Sequence, residues 1–214
     1  PNNLSKKKKE FINKILPLII NQNHKILAQR QRLIEIKDFL NQNKTLNKVD
    51  QKFVKSLASK YLVINKNRHK IDVINDLLIC IDIIPNSIVL AQAANESGWG
   101  SSRFAKEYNA FFGQYTYDDR IGVAPSRRDA GDKHLIKFFS SIDKSVESYF
   151  ININSHFAYN EFRKIRKIFR DKNNSLNINL LVNKLNVYAE DDNYVNTINS
   201  IIKVNKLTKY DNIK

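Results

Sequence analysis

The sequence predicts an α+β protein, mainly α, with a small antiparallel β-lobe set between helical stretches. Three observations predict it. Apolar residues recur at helical spacing through most of the first 84 positions and again beyond position 140. Between residues 111 and 139 the pattern shortens to FFGQYTY, IGVAP and KHLIKFF, which are aromatic or β-branched and separated by Asp, Gly and Pro. No internal repeat or interdomain linker divides the 214 residues, a length that suits one ordinary domain or a domain with an appendage.

Taken in order, the chain opens on a basic run, Lys6, Lys7, Lys8 and Lys9, expected to fray. Over residues 11–40, Ile12, Ile15, Leu16, Ile19, Ile26, Leu27, Leu33 and Ile34 keep helical spacing. Pro17 is expected to kink this helix or to mark its true start. NQNKTLNK breaks the pattern. A second helix is expected over about residues 50–61, with Phe53, Val54, Leu57 and Ala58 on one face, and a third over about residues 72–81. Residues 1–84 thus read as an N-terminal helical region, and residues 85–214 as the domain that carries the chemistry.

That domain begins with PNSIVLAQAANESGWGSSRFAKEYNAFFGQYTY, residues 85–117. Pro85, Asn86 and Ser87 suit a helix start. The run that follows is apolar except at Ser87 and Gln92, so the helix is expected to be buried on most sides. Glu96 falls in its last turn. Gly98 supplies the left-handed residue that ends a helix, and Ser101 or Ser102 can cap a second helix, RFAKEY. A carboxylate at the negative end of a buried helix is desolvated and opposed by the macrodipole. Both effects favour the protonated form, which a general acid requires.

The residues NESGWGSSRFAKEYNAFFGQY also resemble the signature of bacterial N-acetylglucosaminidases that cut peptidoglycan, the flagellar and autolysin glucosaminidases of glycoside hydrolase family 73, and in particular its Bax-type members. LPLIINQNHKILAQRQRL upstream resembles the Bax-type layout as well. The resemblance implies a lysozyme-like fold with a catalytic glutamic acid at Glu96. In such a fold the β-lobe forms one wall of a substrate groove, and the end of the catalytic helix forms the other. It also implies peptidoglycan glycan strands as substrate, no cofactor, and action in the periplasm or cell envelope after export.

Helices resume with SIDKSVESYFININSH, where Val146, Tyr149, Phe150 and Ile153 form a stripe, and continue through NEFRKIRKIF and NINLLVNKL. NVYAEDDNYVNTINSII then resembles the family's motif Tyr-Ala-x-Asp-x-x-Tyr ahead of a last helix, with Tyr188 on the loop and Tyr194 closing the motif. Asp192 is expected to cap that helix. Tyr188 is a candidate catalytic residue, able to orient an N-acetyl group or a water.

Most glycosidases use two carboxyl groups. Many family members carry a glutamate in the β-lobe just before the glycine that matches Gly131; here Ser126, Arg127, Arg128, Asp129 and Ala130 stand instead. Asp118, Asp119, Asp129 and Asp132 are the nearby carboxylates, and each also suits a turn. An N-acetyl sugar can supply its own amide oxygen, leaving Glu96 and an orienting group such as Tyr188 sufficient. Both routes stay open. For substrate contact, Trp99, Phe112, Tyr115 and Tyr117 offer aromatic faces, and Gln114 offers an amide to the N-acetyl group. Strand alternation places Gln114 with Phe112 and the two tyrosines opposite. Asp118, Asp129 and Tyr194 complete the candidate substrate-binding set.

A formal charge of +15 raises nucleic acid as a partner, but no helix-turn-helix, zinc-finger or RNA-stacking motif accompanies it. The charge is expected on the N-terminal helices and on KIRKIFRDK, away from Glu96. No run of ~20 apolar residues suits a membrane span. The single cysteine, Cys80, sits in the apolar DLLICIDII and reads as core, and the four histidines lack zinc spacing. Three functions fit: an endo-β-N-acetylglucosaminidase, a muramidase or lytic transglycosylase on the same polymer, or a non-catalytic wall-binding protein.

Overall fold

The computed structural model describes residues 5–125 and 131–212, and sets out nine α-helices and three short strands among them. Helix α1 (Lys6–Asn41) buries Phe11, Ile12, Ile15 and Ile19, then Ile26, Leu33 and Ile36, a stripe at the spacing expected of a helix with one covered face. The lysine run forms its first turn rather than fraying, since Lys is a good helix former and the turn carries Phe11 into the core. Pro17 lies inside α1 and does not start it. Both Pro17 and Asn13, whose carbonyl loses its helical partner there, are exposed, so water can satisfy the freed group. Helix α2 (Lys48–Lys60) is capped by Asn47, whose side chain accepts the Asp50 amide, and helix α3 is Lys70–Cys80.

Helix α4 (Asn86–Ser97) is buried from Asn86 to Ala94. Its start differs from the expected local cap. No side chain at its N-terminus caps it; instead Asp211 accepts from the Ser87 amide (2.7 Å) and the Ser87 hydroxyl (2.8 Å). A carboxylate suits the positive end of a helix. Burial pushes the Asp211 carboxyl up, and the Ser87 hydrogen bonds only partly oppose that. Helix α5 (Arg103–Tyr108) is capped by Ser102, which accepts the Ala105 amide.

Strands β1 (Tyr115–Thr116), β2 (Gly122–Val123) and β3 (Leu135–Lys137) make the antiparallel lobe in the order β1-β3-β2. Tyr115 pairs with Ile136, and Gly122 with Lys137. Helix α6 (Ile142–Ser155) buries its stripe of Val146, Tyr149, Phe150 and Ile153. Helices α7 (Asn160–Asp171), α8 (Ile178–Asn183) and α9 (Tyr194–Val204) follow, with single 3₁₀ turns at Phe157–Tyr159 and Leu207–Tyr210. At the start of α9 it is Asp191, not Asp192, whose carboxylate accepts the Asn193 amide (2.9 Å).

By contacts the chain forms two units. One holds residues up to Ile20, Pro85–Tyr149, and residues from Asn196 onward; the other holds Asn21–Ile84 and Phe150–Val195. Ile84 and Pro85 fall in different units, the first turns of α1 belong with the Glu96 helix, and residues 150–195 belong with residues 21–84.

The second unit is built around buried charge. Arg166 is 0% exposed and donates to the carbonyls of Ile79, Cys80, Asp82 and Ile83 and to Asn154 Oδ1. Arg30 donates to the carbonyls of Leu78 and Ile81. These are largely the orphan carbonyls at the end of α3, where a cation also meets the negative end of the helix dipole. Asp82 sits among the cations, with Arg170 donating to both its oxygens. Burial pushes the Asp82 carboxyl up, but the Arg170 hydrogen bond and the charges of Arg166, Arg30 and Arg170 outweigh it and hold the pKa below the usual carboxylate value. Burial lowers the Arg166 guanidinium to about 10, which leaves it charged at neutral pH. KIRKIFRDK is thus divided: Lys164, Lys167 and Lys172 are exposed, as a basic surface segment would have them, while Arg166 and Arg170 turn inward to hold a helix end. Cys80 is buried as expected, and burial pushes its thiol up.

Candidate active site

The site lies in the first unit and starts from the end of α4. Gly98 takes the left-handed conformation (φ 56°) and closes the helix as expected. Trp99 is left-handed too (φ 56°), which an L-residue adopts at a cost of about 1–2 kcal/mol. The Ser97 hydroxyl holds the turn together: it donates to the Ala93 carbonyl (2.6 Å) and accepts from the Gly100 amide (2.8 Å). The Trp99 amide donates to Ala94 O (2.9 Å), and Ser102 N to Ser97 O (3.0 Å). Glu96, half-buried, is carried on this cross-braced end.

Opposite it stands the entry to the β-lobe. Gly113 has φ 63°, and a Cβ placed on it would lie 2.6 Å from Glu96 Oε2. The carboxylate therefore rests directly against the Gly113 backbone, and only glycine leaves room for it. The approach is fixed from behind. Phe112 is 1% exposed and stacks on Tyr149 (4.4 Å between centroids), and the Tyr149 hydroxyl donates to Gln92 of α4. The Phe111 amide donates to Ser145 Oγ (3.3 Å), and the Gln114 carbonyl accepts the Lys137 amide (2.8 Å). Glu96 and the first residues of the lobe are so held by packing that neither supplies itself.

The predicted residues are placed in different ways. Glu96, Gln114 and Trp99 are brought to this region. Gln114 follows the glycine that touches Glu96, and its Oε1 is buried without a hydrogen-bond partner. Trp99 packs edge-on to Phe11 of α1 (5.4 Å) under Lys8 (4.8 Å from the ring). Phe112 and Tyr194 are buried: Phe112 serves the core rather than a sugar-facing surface, and Tyr194, 3% exposed, stacks on Tyr188 (5.6 Å, 11° between planes). Tyr188 is half-buried in the second unit, with Tyr159 on another side (6.2 Å). Asp118 is occupied: Arg120 donates to both its oxygens (2.9 and 2.7 Å), which lowers the carboxyl pKa. Asp132 faces His134 (2.8 Å), and Asp119 is exposed. Asp129, with the basic loop around it, lies outside the described residues. Tyr115 and Tyr117 are 64% and 81% exposed, on the open side of the lobe.

Sequence reasoning missed the roles of Gly113 and Ser97. The glycine after two aromatics in NAFFG was the available signal for the first; the second needed the fold. Among the described residues no group of His, Cys, Asp and Glu is placed to hold a metal ion, and no helix is long and apolar enough to cross a membrane.

An acidic side chain thus stands at a braced helix end, against the entry to a small antiparallel lobe. The chain belongs to the glucosaminidase family, described as mannosyl-glycoprotein endo-beta-N-acetylglucosaminidase, whose pattern matches residues 72–207. It is 35% identical over 184 residues to Protein bax of Escherichia coli, an alignment that covers 86% of this chain and 64% of that protein's length. It is also similar to the crystal structure of the catalytic domain of the autolysin Auto from Listeria monocytogenes, with 20% identity, a TM-score of 0.43, and coverage of 83% of this chain and 96% of the other.

Proposed function

We propose that the protein is an endo-β-N-acetylglucosaminidase that cleaves the glycan strand of peptidoglycan at N-acetylglucosamine, acting outside the cytoplasm in the periplasm or cell envelope. Glu96 is the general acid that protonates the glycosidic oxygen. The observation that carries this is the contact of the Glu96 carboxylate with the Gly113 backbone, with the unpartnered Gln114 Oε1 one residue on. A buried acceptor without a partner costs about 1–3 kcal/mol, and the N–H of an N-acetyl group is a donor that would relieve it. Tyr188 is proposed to orient the acetamido group or the attacking water. Residues 85–214 are proposed as the segment that carries the catalytic chemistry, with the start of α1 completing its packing.

Release of reducing N-acetylglucosamine ends from purified peptidoglycan, read by mass spectrometry, tests the proposal. Reducing N-acetylmuramic acid ends would assign a muramidase instead, and anhydro ends a lytic transglycosylase. The transglycosylase reading draws support from one feature: in the described part of the lobe, Asp118 and Asp132 are engaged by Arg120 and His134. A transglycosylase needs no second carboxylate. Wall affinity without any new chain ends would leave a binding protein.

A further inference from the structure

A second feature of the first unit is not used by this chemistry. Where α1 passes the Trp99 turn there is an open cavity of about 460 Å³, within the range of sites that hold small molecules. Its floor is apolar: Phe11, Trp99 and Phe111, with Phe11 lying 5.4 Å from Trp99 and 6.4 Å from Phe111. Its rim is cationic: Lys7 and Lys14 from α1, and Lys106 from α5. Lys7, Phe11 and Lys14 occupy positions i, i+4 and i+7 of one helix, so the two lysines stand a turn above and below the aromatic ring. Lys7 donates to Ser101 Oγ (3.0 Å), whereas among the described residues Lys14 and Lys106 enter no ion pair. The rim's carboxylate, Glu10, is drawn to Lys6 (3.9 Å). Lysines gathered round an apolar cup repel one another, and an anionic ligand with an apolar body relieves that repulsion while covering the aromatic floor.

We propose that this cup is a second binding site, for a short peptide bearing several carboxylates, the kind carried by the glycan strand of peptidoglycan. The ligand's source rests on the functional reading above. The rim favours separate carboxylates over a phosphate group. Its cations are all lysines, which act as point charges rather than as planar forks, and they are spread around the cup. The aromatic floor between them suits the aliphatic side chains of such a peptide. Cleavage at Glu96 and retention through the peptide are then separate functions of one unit.

The test titrates the full chain with stem peptides released from peptidoglycan by an amidase, and measures cleavage of glycan strands with and without their peptides. Lys14 and Lys106 are exposed, so Lys14→Glu/Lys106→Glu leaves the fold intact. The double variant is expected to bind the peptides roughly tenfold or more weakly. Its KM for peptide-bearing strands should rise in step, with kcat and the cleavage of bare strands unchanged. Equal peptide binding by variant and wild type, or none by the wild type, overturns the proposal. So does inorganic polyphosphate that binds the wild type more tightly than the peptides do. If the wild type cleaves neither strand, the glucosaminidase reading fails, and the peptide titration still decides the cup.

Discussion

The two units treat charge in opposite ways. In the second, every cation near Asp82 has a job inside the protein. Arg166 serves four carbonyls, Arg30 serves two, and Arg170 holds the carboxylate. In the first, the groups around α4 and the lobe are left partly unspent: Gln114 Oε1 is buried without a partner, and Lys14 and Lys106 ring an apolar cup. The contrast lies in the cations: Arg166 Nε and Gln29 Oε1 of the second unit are, like Gln114 Oε1, buried without a partner, but the arginines around Asp82 are turned onto the fold's own carbonyls and carboxylate, whereas Lys14 and Lys106 face solvent. The comparison pairs the first unit with the proposed acid, Glu96, and the charges of the second with stability.

The largest effect that would sharpen it is at Glu96. Glu96→Gln is expected to lower kcat on purified peptidoglycan by about 10²–10⁴-fold, the worth of a general acid, with thermal unfolding unchanged. Near wild-type cleavage would remove Glu96 from the mechanism.

Asp82→Asn should do the reverse. It leaves Arg166, 0% exposed, without its counter-charge, and the expected cost is about 3–5 kcal/mol in denaturant unfolding with activity per folded molecule preserved. The pH dependence has a definite sign. A carboxyl with a depressed folded pKa contributes stability above its unfolded value of about 3.9, and that contribution fades as pH falls through the lower folded value. Wild type should therefore lose an increment of stability on acidification below about pH 4 that Asp82→Asn lacks. Parallel curves would count against the buried-charge account.

Gly113→Ala probes the boundary between the two roles. Its Cβ would meet Glu96 Oε2 at 2.6 Å, and the left-handed backbone adds strain. A carboxyl displaced by about 1 Å can cost roughly 10²-fold in rate, against a stability loss of about 1–2 kcal/mol. A kcat that is unchanged would show the contact to be incidental.

The smallest effects separate the helpers. Tyr188→Phe keeps the stacking on Tyr194 and removes one hydroxyl, and kcat should fall roughly tenfold, the scale of one hydrogen bond. Asp118→Asn should change kcat less than about twofold, since it loosens only an exposed pair with Arg120. A dead Asp118→Asn beside an active Tyr188→Phe would reverse their proposed roles.

By itself the amino-acid sequence determined the local steps. Helical spacing placed α1 to α4 within a few residues. Gly98 and Ser102 ended one helix and began the next, the lobe's short aromatic segments became three antiparallel strands, and NESGWG marked Glu96. Each follows from residues within a turn or two of one another. The tertiary structure decided what depends on partners far along the chain. Asp211 caps α4 across 124 residues. Arg166, in the basic KIRKIFRDK segment, is buried because the carbonyls ending α3 need donors. Phe112 turns inward to Tyr149, so Gly113, beside it, is what meets Glu96. Local pattern shows which groups need a hydrogen bond, a counter-charge or a covered face; only the packed chain shows which distant residue supplies it.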